Sequence, residues 1–213
     1  MSIIFQYPHW TTPVASAAPM VVIKGDDGVS RGMDAYAWLL GLGLVDLTGP
    51  IDAETYKAVS AQFSYLRSIP LKGARNLFIN SPGGSVLDGL AIYDIVQREK
   101  KVQPVATICN GMAASMASIL LACGTHGSRG INKHGRVMIH QARMTMGGTQ
   151  TNEDLGILAS ELEWCTKTLA EILSEHTGMP YDQVRADMRK DKWLSAEDAL
   201  RYGTKGIVDK IID

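Results

Sequence analysis

A serine becomes a nucleophile through its setting. Ser115 stands in the stretch Ile108-Cys109-Asn110-Gly111-Met112-Ala113-Ala114-Ser115-Met116-Ala117-Ser118-Ile119-Leu120-Leu121. This stretch reads as a strand end, a tight Gly turn and an apolar helix. A hydroxyl at that junction meets the free N–H groups and partial positive charge of a helix N-terminus, which stabilise a forming oxyanion. The small neighbours let a substrate backbone approach. The chemistry this points to is acyl transfer with Ser115 as nucleophile. For a lone serine, tight helix packing is the simpler reading, and Ser118 has no role beyond packing. The hydrolase elbow Gly-x-Ser-x-Gly is absent, because Ala113 and Ala117 flank Ser115.

Serine acyl transfer also needs a base, a group that orients the base, and donors for the oxyanion. Of five histidines, His9 lies in an N-terminal tail, His126 and His134 lie in a polar link, and His176 closes a helix. Only His140 ends an apolar strand, where α/β sheets display site residues. The acid is open among Asp182, Asp187, Asp191, Glu197 and Asp198. Asp191 precedes Trp193-Leu194, which would pack inward and draw it along; a surface ion pair with Lys190 or Lys192 suits it equally well. Pro82-Gly83-Gly84 offers backbone N–H groups ahead of a helix, and the Met116 N–H would be the second oxyanion donor.

These residues must be positioned by a chain in which strands and helices alternate, the pattern of an α/β fold. Expected strands are Met20–Ile23, Gly43–Leu47, Asn76–Ile79, Val105–Ile108, Arg136–Ile139 and Ile207–Ile211. Expected helices run over Asp34–Leu40, Asp52–Ser68, Ser85–Glu99, Ser115–Ala122, Asn152–His176, Pro180–Met188 and Ser195–Tyr202. Tyr56, Val59, Phe63 and Leu66 give the second helix one apolar face. The third helix is expected to turn Val86, Leu90, Tyr93 and Val96 or Gln97 inward. The longest carries the stripe Leu155, Leu158, Leu162, Cys165, Leu169 and Ile172, ended by Gly178. Ala142–Thr151 reads as an exposed strand in need of a partner. Residues 1–19 read as a flexible tail or pro-segment, and 20–213 as a single domain.

With 213 residues and a net charge of −1, the chain has room for a real core and offers no electrostatic case for nucleic acid. Three cysteines, Cys109, Cys123 and Cys165, lack metal-type spacing and suit reduced thiols in a cytoplasmic compartment. No stretch reads as a membrane span or secretion signal, and no phosphate-binding loop or zinc-protease motif occurs. If ATP is used, a partner hydrolyses it.

Asn80-Ser81-Pro82-Gly83-Gly84, Gly111-Met112-Ala113-Ala114-Ser115-Met116, Arg136-Val137-Met138-Ile139-His140-Gln141 and Asp191-Lys192-Trp193-Leu194-Ser195 together resemble, in order and nearly in spacing, the four signature blocks of the ClpP family, the proteolytic subunits of Clp proteases. The resemblance covers about Met20 to Asp213. It implies a ClpP/crotonase-like spiral of ββα units with a protruding helix-plus-strand handle over about 142–176. It implies Ser115 as nucleophile, His140 as base, Asp191 as acid, and the backbone N–H groups of Gly84 and Met116 as oxyanion donors. It further implies self-assembly of heptameric rings into a tetradecamer, an AAA+ unfoldase partner of ClpX or ClpA type, unfolded polypeptide substrates paired along the strand from Gln141, and no cofactor or metal in this chain. Lys190 departs from the family's usual Arg, and Asn76 and Arg98 stand where its ATPase-docking cleft commonly has apolar or aromatic residues, whereas Phe78 fits. Related readings are a phage- or plasmid-type maturation protease, a signal-peptide-peptidase-like enzyme, a hydratase of the same fold acting on acyl-CoA, and an inactive ring subunit.

Overall fold

The computed structural model describes residues 19–24, 27–71, 73–145, 147–149 and 151–213. The expected tail, with His9, falls outside them except for Pro19. An exposed antiparallel hairpin, β1 (Met20–Lys24) and β2 (Ser30–Asp34), leads into α1 (Ala35–Gly41). Asp34 caps that helix by accepting from the Ala37 N–H at 2.9 Å.

The body follows as β3 (Leu44–Thr48), α2 (Ala53–Ser68), β4 (Arg75–Ser81), α3 (Val86–Lys100), β5 (Val105–Ala114) and α4 (Met116–Ala122). It continues with β6 (Arg129–Asn132), β7 (Arg136–Ile139), α5 (Asn152–Thr177), α6 (Tyr181–Asp187), β8 (Lys192–Leu194), α7 (Ala196–Leu200) and β9 (Lys210–Ile212). The main sheet runs β3-β4-β5-β6-β9, all parallel. Parallel neighbours require crossovers, and helices supply them; they cover one face, while Asp46 and Thr48 of β3 stay exposed on the other. Val45, Leu47, Leu77 and Ile79 from the strands meet Val59, Phe63 and Leu66 of α2 in one core. All seven residues of α4 are buried.

The sheet forks at β5. Thr107–Cys109 pairs with β6, while Met112–Ala114 pairs with β7, which alone pairs antiparallel with β8. The tight Gly turn expected between strand and helix is therefore continuous strand, since β5 runs through Gly111 to Ala114. The chain changes partner there instead of turning, and the Asn80 side-chain oxygen accepts from the Met112 N–H at 3.2 Å as it does so.

Other expectations shift for physical reasons. The Gly-rich stretch Gly124–Gly130 reads as a link, yet its last two residues open β6. Arg129 is nonetheless buried, bound to the Asp209 carboxylate and to the carbonyls of Ala122, His176 and Lys205. That same Asp209 delays the last strand, which begins at Lys210 rather than Ile207. Helix α3 buries Ile92, Ile95, Val96 and Glu99, leaving Val86, Leu90 and Tyr93 half-buried, because Arg75 and Arg67 draw the Glu99 carboxylate inward. No strand forms among the described residues of 142–151; an edge strand without a second strand has no ladder to make. The first half of α5 leaves Leu155, Ile157 and Trp164 exposed. Among the described residues, no helix is long and apolar enough to cross a membrane.

Candidate active site

Ser115 occupies the single step between β5 and α4. Its φ of 55° and ψ of −127° make it the one non-glycine residue with positive φ among the described residues, a conformation that costs about 1–3 kcal/mol and persists only where the surroundings impose it. The surroundings do. The Ser115 N–H donates to the Met138 carbonyl at 2.8 Å, and the Ser118 hydroxyl and N–H both donate to the Ser115 carbonyl, at 2.6 and 3.0 Å. Ser118 thus has a role that sequence reasoning missed.

His140 follows the last residue of β7, as expected. Its Nε2 lies 2.8 Å from Ser115 Oγ. With the serine O–H donating to Nε2, the ring proton sits on Nδ1. That Nδ1 is buried and has no hydrogen-bond partner. Burial, and then the Arg143 guanidinium, lower the His140 pKa from its ordinary value; the Asp191 carboxylate partly opposes them. The imidazole is thereby kept neutral, as a base must be.

Asp191 is the sequence-predicted residue whose contact differs. In the register of β7 against β8, Ile139 faces Lys192 and Met138 faces Trp193, so the next pair outward is His140 with Asp191. The backbone is placed for an acid on His140. The Asp191 side chain, however, is 42% exposed and forms an ion pair with Arg143. Leu194 packs inward as expected while Trp193 stays half-buried, and neither Lys190 nor Lys192 takes the acid; Lys192 binds Asp187 at 2.7 Å. Arg143 was not anticipated, because nothing in its local sequence marks it. The other acids disperse: Asp198 caps α7 through Ser195, and Asp187 accepts from the Tyr202 hydroxyl at 3.0 Å.

The Gly83-Gly84 turn lies against Ser115. A methyl group on Gly83 would fall 2.6 Å from Ser115 Cβ and 3.0 Å from the Met116 nitrogen, so only glycine fits. On the far side, the Ile51 N–H donates to the Gly83 carbonyl at 2.9 Å and the Ser85 N–H donates to the Ile51 carbonyl at 2.8 Å. Since successive strand amides point to opposite sides, the Gly84 N–H points away from Ile51, toward the edge that carries Ser115. Met116 is the first residue of α4, where N–H groups lack intrahelical acceptors. Two backbone donors thus flank one hydroxyl.

Two other described histidines are engaged elsewhere. His176 meets the Tyr93 hydroxyl at 3.1 Å, and His126 binds Asp209 at 2.9 Å. Among the described residues, no three His, Cys, Asp or Glu side chains converge to hold a metal ion.

Residues 27–213 match a family model described as Clp protease. A curated protein of Salinibacter ruber (strain DSM 13855 / M31), the ATP-dependent Clp protease proteolytic subunit 1, is 39% identical over 213 residues, covering 100% of this chain and 88% of the relative.

Proposed function

The chain belongs to the Clp protease family, and on that premise we propose that it is a proteolytic subunit, a serine endopeptidase acting on unfolded polypeptide through Ser115, His140 and Asp191. The observation that carries this reading is the 2.8 Å contact between His140 Nε2 and Ser115 Oγ at a strained strand-to-helix junction. Ser115 Oγ attacks the peptide carbonyl carbon while His140 Nε2 takes the hydroxyl proton. The carbonyl oxygen becomes an oxyanion held by the Gly84 and Met116 N–H groups. His140 returns the proton to the leaving amine, the C–N bond breaks, and an acyl-enzyme remains. Water, deprotonated by the same imidazole, then attacks the ester and frees Ser115. Asp191 orients His140 by accepting from Nδ1–H and stabilises the imidazolium.

This chemistry takes no cofactor from the chain, and ATP is consumed by an AAA+ unfoldase partner. The recess lined by Tyr36, Leu39, Phe78 and Asn110 is the surface we assign to that partner. The exposed apolar residues of α5, Leu155, Ile157 and Trp164, support assembly of heptameric rings into a tetradecamer, with α5 as the handle and the segment from Gln141 pairing with substrate. The cytoplasm is the compartment that suits three free thiols.

The test is intact mass after fluorophosphonate treatment, with assembly sized by native mass spectrometry. One adduct per wild-type subunit, none on Ser115→Ala, and a tetradecamer in both are expected. An adduct retained by Ser115→Ala refutes the nucleophile, and a well-assembled wild type that takes no adduct refutes a competent site.

A further inference from the structure

We propose that Arg143 is a positioning residue of this site: it competes with His140 for Asp191, and so sets how often the acid is on the base. The proposal rests on the triad reading above. Three observations meet at this point. The β7/β8 register brings Asp191 opposite His140. The His140 Nδ1 that should donate to the carboxylate is buried and has no partner. The carboxylate is instead bound by the Arg143 Nη2.

Arg143 is three residues beyond His140 on the segment leaving β7, so base and competitor are tied to the same strand end and share one acid. Arg143 and Asp191 are also the two charged groups that act on the His140 ring, in opposite senses. Two other cations of this region are engaged elsewhere. Lys192 binds Asp187, and Arg185 binds Glu163 at 2.8 Å.

The competition is adjustable because the ion pair is exposed. The side chains of Arg143 and Asp191 are 59% and 42% accessible. Such a pair is weak and is screened by salt, whereas a hydrogen bond from buried Nδ1–H to a carboxylate is charge-assisted and satisfies an otherwise orphaned donor. The register sets Asp191 opposite His140, so the movement proposed is a turn of the Asp191 side chain from Arg143 toward His140. Arg143 therefore holds the acid off the base without abolishing access to it, and any change that draws the guanidinium away completes the triad.

The experiment compares Arg143→Gln and Arg143→Lys, each alone and combined with Asp191→Asn, on material of matched assembly state. It measures kcat and KM for a neutral fluorogenic peptide at low and high salt. Arg143→Gln is expected to raise kcat about two- to five-fold with KM unchanged, the scale set by one exposed ion pair. Wild-type kcat is expected to rise with salt while that of Arg143→Gln stays flat, and Arg143→Lys should restore the salt response. Asp191→Asn should remove the gain. An Arg143→Gln enzyme with kcat at or below wild type, or with the wild-type salt response, overturns the proposal. If Asp191→Asn is silent in both backgrounds while Ser115 still labels, Asp191 is not the acid and the proposal falls with that assignment. If Ser115 does not label, the site reading itself has failed, which the first assay detects independently.

Discussion

Replacing Gly84 with Ala tests the oxyanion assignment. At a φ of 152°, a Cβ there would sit 2.2 Å from the Ile51 carbonyl oxygen and 2.9 Å from the Ile51 nitrogen, both backbone atoms. No rotamer change relieves such a clash. A carbon rests at about 3.3 Å from a carbonyl oxygen, so the chain must move by about 1 Å. That movement loosens the two hydrogen bonds on either side, Ile51 N–H to the Gly83 carbonyl and Ser85 N–H to the Ile51 carbonyl, at about 1 kcal/mol each. It also carries the Gly84 N–H off its line toward the oxyanion. Misplacement by about 1 Å costs about 10²-fold, and loss of one oxyanion donor about 10²–10³ in kcat. With the positive-φ cost of about 1–2 kcal/mol added, the expected variant is folded, about 3–4 kcal/mol less stable by urea titration, and about 10²–10³ slower on a short peptide, with fluorophosphonate labelling slowed in parallel. Gly127→Ala is the control. Gly127 also has positive φ, 85°, but nothing lies within 4 Å of its added methyl. It should lose about 1–2 kcal/mol of stability and keep wild-type turnover. A Gly84→Ala enzyme within tenfold of wild type would refute the assignment of that amide.

Two further outcomes concern the framework. Asp209→Asn removes the charge that answers Arg129, whose side chain is 1% accessible; stranding a buried charge should cost about 3 kcal/mol in urea unfolding, and a loss below about 1 kcal/mol would mean that the surrounding carbonyls suffice. His176 is held neutral by burial and by Lys100, Arg129 and Lys205, which lower its pKa from 6.5 to about 4. The unfolded chain then binds a proton that the folded chain refuses, so His176's contribution is complete above pH 6.5 and is lost as pH falls from 6.5 toward 4. His176→Gln should flatten the decline in urea midpoint over that window, and an unchanged slope would refute the assignment.

Ser115 and His140 each stand where an apolar strand gives way, which made them candidates, but a packing serine and an edge-of-core histidine suit the same positions, and only the four signature blocks taken together singled them out. Three helix starts were legible because their signals are local: Asp52, Ser85 and Ser195 act within three residues of themselves, accepting from the N–H groups of Thr55, Asp88 and Asp198. What lay hidden depends on distant partners. Arg129 disguised β6 because its burial makes sense only with Asp209, 80 positions away. Glu99 rotated the buried face of α3 because Arg75 binds it from β4. Asn80 read as part of a Gly-turn block, yet it steadies β5 where the strand changes neighbours. For the acid, sequence could name Asp191 but not its present contact, since β8 has three residues and Arg143 carries no local signal.

The three site residues are not equally fixed, and the topology says why. The Ser115 N–H binds the carbonyl of Met138, two residues before His140, and Met112–Ala114 pairs with Arg136–Met138. Nucleophile and base therefore belong to one rigid unit of two adjacent parallel strands, backed by the buried helix α4. The acid arrives separately. It precedes a strand that pairs only with β7 at the sheet's edge, and its side chain stands in solvent while those of its partners are half-buried. A strained φ at Ser115 has to be held by rigid neighbours if attack geometry is to survive; no such demand acts on Asp191, whose task is to turn and steady an imidazole. Under the roles proposed above, the 2.8 Å Ser115–His140 contact is built into the paired strands, and the exposed Asp191 side chain is the part of the site left to adjust.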